Sequence, residues 1–180
     1  EIFYDLQDKN LTMFAQYTAG PWEYIGTQGV IQGTFETLAS VADQHFDGSL
    51  VGRIYFTAGL GGMGRNQPRA MTMHGGVCLI VDADERIIER ALDRGFLDVR
   101  AASLEEGIEK AEQAKAERKA VGIGVHGNAA DLFPQALDMG WMPDTMSEMC
   151  PCHDPLSYIP ASMSPEEAAE VRETDRDRYL

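Results

Sequence analysis

Ile54-Tyr55-Phe56-Thr57-Ala58-Gly59-Leu60-Gly61-Gly62-Met63-Gly64 is the stretch that decides the fold. Its first four residues are bulky or β-branched and, with Ala58, read as a strand. The strand runs straight into Gly59, Gly61 and Gly64, which keep the G-x-G-x-x-G spacing, with Gly62 as an extra. A tight strand-to-helix turn needs backbone angles open to glycine, and a bound diphosphate needs an approach that a Cβ would block. A helix starting just beyond such a turn aims its first N–H groups at an anion.

Working outward, Asn66 to Gly75 reads as that helix, with Pro68 tolerated in its first turn. Val77-Cys78-Leu79-Ile80-Val81 is a continuous apolar run and predicts a strand buried on both faces. It ends at Asp82, 18 residues after Gly64, where the fingerprint places a carboxylate for a ribose hydroxyl pair. Asp84 and Glu85 nearby disfavour a 2′-phosphate, so NAD is expected over NADP. The same residues would equally serve a sharp turn with no ligand, Asp82 being then a loop carboxylate.

Further along, Ile87 to Gly95 and Ser103 to Arg118 read as helices, the second opening on the capping-box pattern Ser103-Leu104-Glu105-Glu106. Ala120 to Val125 predicts another strand leading to His126-Gly127-Asn128 and a helix through Met139. A short strand is expected between Asp144 and Met149, and Ser164-Pro165-Glu166-Glu167 opens a charged final helix. Upstream, residues 1–20 read as a helical lead-in, and Val30, Ile31, Phe35, Leu38 and Val41 recur near helical spacing between Thr27 and His45. Gly29 and Gly33 interrupt that helix or mark a close contact.

Strands alternating with helices imply parallel βαβ units. The expected fold is therefore α/β, a Rossmann-like parallel sheet with helices on both faces, plus N-terminal and C-terminal helical segments. It reads as a single domain over residues 1–180: a helical lead-in at 1–50, an α/β core at 51–160 and a charged helix at 161–180. Right-handed crossovers would gather Gly59, Asp82 and His126 at one edge, where ligands of such sheets bind.

Composition narrows the partners. The 180 residues carry a formal net charge of −14, which argues against nucleic acid. No apolar run approaches membrane-spanning length, and Glu1-Ile2-Phe3-Tyr4-Asp5 lacks the start of a secretory signal. Three cysteines and no such signal read as a cytoplasmic chain with free thiols, Cys78 being a buried packing residue. Cys150, Cys152 and His153 form a C-x-C-H cluster, short of the ligands a tetrahedral zinc site needs, and no metal is assigned. His126 reads either as a strand-end histidine bonded to backbone or as a functional one. His74 at a helix end and the Glu/Lys-rich stretch from Glu105 to Glu117 need no role beyond the helix dipole and a solvated face.

The chain resembles the urocanate hydratase (urocanase) family in four motifs that occur in the family's order. These are Tyr24-Ile25-Gly26-Thr27-Gln28-Gly29 with Gln32-Gly33-Thr34-Phe35-Glu36-Thr37, then Thr57 to Gly64 with Gln67-Pro68, then His126-Gly127-Asn128-Ala129-Ala130, then His153-Asp154-Pro155-Leu156. The resemblance extends from about Gln16 to Pro160. It implies a hydro-lyase of histidine degradation in which NAD serves as an electrophile rather than a hydride carrier. The substrate would be urocanate or a modified urocanate, hydrated to imidazolone propionate or its analogue.

Residue by residue, the resemblance makes Gln16 a cofactor contact and Gly62, Met63 and Gly64 the phosphate turn. Asp82 stands where the family has a ribose glutamate, and Arg86 matches an arginine just beyond it, one residue closer here. Asn128 and Ala129 match contacts at a strand end, and Tyr158 and Ile159 match a Tyr-Leu pair. Met149, Cys150, Pro151, Cys152 and His153 occupy a cofactor loop that in the family typically reads Gln-Thr-Ser-Ala-His. The resemblance also implies a homodimer and a catalytic cysteine outside this chain, so that an isolated fragment would not turn over. Without the resemblance, the same residues support an NAD-dependent dehydrogenase domain or a non-catalytic nucleotide-binding assembly module.

Overall fold

The computed structural model describes residues 2, 5, 6, 9, 11, 28–148, 155–161 and 163–180. Most of the expected lead-in at 1–20, the signature from Tyr24 to Thr27, and the site residues Gln16, Met149, Cys150, Pro151, Cys152 and His153 lie outside them.

Helix α1 spans Gln28–His45 and buries Leu38 and Ala42. Among the described residues, nothing lies within 4 Å of where a Cβ at Gly33 would stand. Strand β1 is Ile54–Ala58, followed by α2 at Asn66–Met73, β2 at Val77–Asp82 and α3 at Glu85–Asp93. Then come β3 at Val99–Ala101, α4 at Leu104–Ala116, β4 at Val121–His126, α5 at Ala129–Asp138 and β5 at Thr145–Met146. A turn of 3-10 helix at Pro155–Ser157 precedes α6 at Pro165–Thr174 and α7 at Arg176–Tyr179.

The strands form one parallel sheet in the order β3-β4-β2-β1-β5. Strand β3 has no counterpart in the sequence reading. Its three residues run exposed, half-buried, buried, a pattern too short and too polar to signal a strand. It forms because Val99 to Ala101 fall in register with Ile123 to Val125 of β4.

The central strands are buried on both faces, as a parallel sheet covered by helices requires. On one face Phe56, Leu79, Val81, Ile123 and Val125 pack with Leu104, Ile108 and Ala111 of α4 and Ala136 of α5. On the other, Tyr55, Cys78 and Ile80 pack with Leu38 and Ala42 of α1, Ala70 and Met71 of α2, and Ile88 and Ala91 of α3. β4 presents Gly122 and Gly124 to this second face, and Leu97 fills the space: a Cβ at Gly124 would lie 2.6 Å from the Leu97 side chain.

This division of helices positions the site. β2 and β4 are neighbours, paired out to Asp82 and His126, yet β2 hands the chain to α3 on one face and β4 hands it to α5 on the other. Chain leaving two adjacent strands in opposite directions opens a crevice at their carboxyl ends, the usual ligand position in such sheets.

Candidate nucleotide site

Gly59, Asp82 and His126 do meet at one edge. Gly59 N–H donates to the Val81 carbonyl (2.9 Å) and Gly127 N–H to the Asp82 carbonyl (2.9 Å), so the loops after β1, β2 and β4 are stitched together. His126 Nε2 lies 3.2 Å from the Ala83 carbonyl, a strand-end histidine bonded to backbone.

The glycine turn is tightly folded. Gly59 takes a left-handed φ of +87°, which starts the bend. Gly64 comes back over it so closely that a Cβ there would lie 1.6 Å from the Gly59 carbonyl oxygen. Above Gly61 the opposite holds: among the described residues a Cβ would meet nothing within 4 Å. The turn therefore has a packed side and an open side.

Its backbone is sorted in the same way. The carbonyl of Gly61 accepts from Arg65 N–H (3.1 Å) and that of Met63 from Asn66 N–H (3.2 Å). Asn66 Nδ2 donates to the carbonyls of both Gly62 (3.0 Å) and Met63 (3.2 Å). Among the described residues, the N–H groups of Gly61, Gly62, Met63 and Gly64 have no hydrogen-bond partner. Consecutive N–H groups at a helix start form a cradle for an anion. Among the described residues, the open face over Gly61 and this run of unengaged donors make a cradle of the kind that takes a nucleotide phosphate.

Asp82 turns its carboxylate into the same turn, one oxygen accepting from Leu60 N–H (2.7 Å) and the other from Asp84 N–H (2.9 Å). Burial pushes its acid upward, and these two N–H bonds oppose that rise. It thus braces the turn, and each oxygen keeps a second lone pair. Arg86 grips Asp84 with Nε (2.9 Å) and Nη2 (2.7 Å), and this hydrogen bonding holds the Asp84 acid below its ordinary range. The guanidinium is otherwise largely exposed, at the first turn of α3 beside the crevice.

Asn128 caps α5, its Oδ1 accepting from Ala130 N–H (3.0 Å). Both its amide hydrogens go elsewhere, to the carbonyls of Ile159 (2.8 Å) and Pro160 (3.1 Å). The structure thus brings Asn128, Ala129 and Ile159 together across 31 residues of sequence. Tyr158 lies beside them on the exterior, its carbonyl accepting from the Tyr179 hydroxyl.

A chain of polar groups beneath the site escaped the sequence reading. Gln67 Nε2 donates to Thr34 Oγ1 (3.1 Å), and the Tyr55 hydroxyl donates to Gln67 Oε1 (3.2 Å). The Tyr55 hydroxyl also meets Ser147 Oγ, which lies 3.1 Å from Thr57 Oγ1. The chain ties α1, α2 and β1 to the segment leaving β5. Its one sequence signal is polar Tyr55 and Thr57 alternating in a strand with both faces covered, a pattern that requires buried partners. Asn66 was also missed, being read only as the first residue of a helix.

Sheet order, the divergence beyond β2 and β4, and the N–H cradle after β1 define a Rossmann-like α/β domain of the nucleotide-binding kind. Its particular lineage follows from comparison: a family model described as the urocanase Rossmann-like domain matches residues 26–180. The chain belongs to the urocanase family.

Proposed function

We infer that this chain is the NAD-holding domain of a urocanate hydratase-like enzyme that adds water to urocanate or a modified urocanate. The observation that carries the reading is the run of N–H groups from Gly61 to Gly64 that have no partner among the described residues, in a chain that matches the urocanase Rossmann-like domain. When bound, NAD would supply an electrophilic nicotinamide ring. The chain's own residues bind and orient it. Gly62, Met63 and Gly64 hold the diphosphate by backbone N–H, and Asp82 accepts from the adenosine ribose through its remaining lone pairs. Arg86 screens the phosphates from the surrounding negative charge. Asn128, Ala129, Tyr158 and Ile159 would contact the cofactor beyond the diphosphate, and Gln16 and Met149 to His153 join them on the family resemblance alone. No proton-transfer group is assigned within this chain, because the reacting atoms would sit where the rest of the enzyme closes over the cofactor. A cytoplasmic homodimer belongs to the same reading.

Calorimetric titration of the chain with NAD tests it. The expected result is saturable binding at one site per chain, with no change in nicotinamide absorbance in the presence of alcohols or hydroxy acids. Folded protein giving only the heat of dilution overturns the reading. Growth of reduced nicotinamide would favour a dehydrogenase domain, and association that appears only with nucleotide would favour an assembly module.

A further inference from the structure

Asn66 spends its side chain in an unusual way. It is fully buried, both its amide hydrogens go to backbone carbonyls of the glycine turn, and its Oδ1 has no partner among the described residues. A buried acceptor left unpaired costs stability, and an apolar side chain of the same size would avoid that cost. The donors face two carbonyl oxygens, which fixes the orientation of the amide: turned over, it would set oxygen against oxygen.

The consequence lies in the peptide planes. In a trans peptide the carbonyl and the following N–H point in opposite directions, and no cis bond occurs among the described residues. Drawing the Gly62 carbonyl toward Asn66 turns the Met63 N–H away from it. Drawing in the Met63 carbonyl does the same for the Gly64 N–H. The Gly61 carbonyl, held by Arg65 N–H, turns out the Gly62 N–H in the same manner. Three successive donors are thereby aimed away from the packed side of the turn by bonds that lie behind it.

We propose that Asn66 is a positioning residue for the cofactor: its carboxamide holds the Gly62 and Met63 carbonyls inward so that the Met63 and Gly64 N–H groups stand ready for a diphosphate before the ligand arrives. The proposal rests on reading the turn as the NAD site. Asn66 touches no ligand. It removes the cost of reorienting two peptide planes on binding, the general advantage of a preorganised site, and the unpaired Oδ1 is the stability given up for it.

The test compares the 180-residue chain with Asn66→Leu, which keeps the size, removes the donors and removes the orphaned oxygen. Asn66→Ala, which adds no bulk, serves if the leucine does not fit. Titrations use NAD and, as a ligand without phosphate, adenosine. Amide residual dipolar couplings of Met63 and Gly64 report the orientation of their N–H vectors without any ligand. The variant is expected to bind NAD ~10-fold more weakly, a factor worth about 1.4 kcal/mol, to bind adenosine unchanged, and to show altered couplings. A purely structural asparagine would weaken both ligands together, and that result overturns the proposal, as do couplings identical to wild type. If wild-type protein gives no heat with NAD, the cofactor reading falls, while the couplings still decide whether Asn66 orients the turn.

Discussion

Gly64 shows how much one hydrogen in place of a methyl can decide. A Cβ 1.6 Å from the Gly59 oxygen cannot be relieved by a side-chain movement, because the obstructing atom is backbone at the first bend of the turn. Overpacking of even soft neighbours costs about 1–3 kcal/mol, and here the turn itself must open. Gly64→Ala is expected to lose ~3 kcal/mol or more of stability in urea unfolding, with NAD binding lost in the fraction that remains folded. Wild-type stability in this variant would mean that the turn is not closed as described. The same residue marks the limit of sequence reading. The G-x-G-x-x-G spacing announced a tight turn, but not which glycine is packed against its neighbour and which faces open space. Asp82 was legible as a carboxylate at the right distance, whereas its bond to Leu60 N–H arises only when β1 and β2 lie side by side. Cys78, read as a packing residue, is fully buried, and burial pushes its thiol well above the ordinary range.

Among the elements, β5 depends most on a single side chain. It is two residues long and pairs with β1 through Tyr55 and Phe56 alone. Asp144, just before it, accepts from Ile54 N–H (2.9 Å), Arg53 Nη1 (3.0 Å) and Lys115 Nζ (2.8 Å), joining β5 to β1 and α4. Burial raises the Asp144 acid, but the hydrogen bonds from Lys115, Ile54 and Arg53 together outweigh it and leave it below its ordinary value. A carboxylate with a lowered folded value stabilises the protein above the ordinary carboxylate range, and that contribution is lost as pH falls through the lowered value. Asp144→Asn is therefore expected to cost about 1–3 kcal/mol near neutral pH, with the gap to wild type closing in acid. Unfolding curves across pH measure this, and a gap that stays constant would count against a charged Asp144 as the staple. Helix starts were among the most legible features. Ser103 and Ser164 cap α4 and α6 as their sequences foretell, each accepting from the N–H three residues on, at 3.3 and 3.1 Å. The Glu106 carboxylate reaches back to Ala102 N–H (2.6 Å), a variation on the expected capping box.

At the scale of the molecule, the C-terminal helices form a small cluster of their own with the segment that precedes them. Ala168, Val171 and Tyr179 pack with Leu156, Ile159 and Met163. The Tyr179 hydroxyl shares its one proton between the Leu156 carbonyl (3.2 Å) and the Tyr158 carbonyl and receives Arg172 Nη2 (3.0 Å). Asn128 gives a hydrogen-bonded link from the residues beside this cluster to the strand edge, through the carbonyls of Ile159 and Pro160. Asn128→Ala removes the α5 cap, worth about 1 kcal/mol, and frees the carbonyls of Ile159 and Pro160. Limited proteolysis is expected to cut the variant faster between β5 and α6 while the sheet stays protected. Equal cleavage rates would show that the apolar contacts suffice alone.

By itself the sequence determined the class of fold and the place of the turn, because apolar run length, glycine spacing and capping residues act over a few neighbours and need no partner from afar. It could not supply β3, the stapling of β5, the polar chain from Thr34 to Ser147, or the use of Asn66 and Asn128. Those belong to the tertiary structure. Each depends on a hydrogen bond or a register between segments far apart in the chain, and such pairings exist only once the sheet has set the distances.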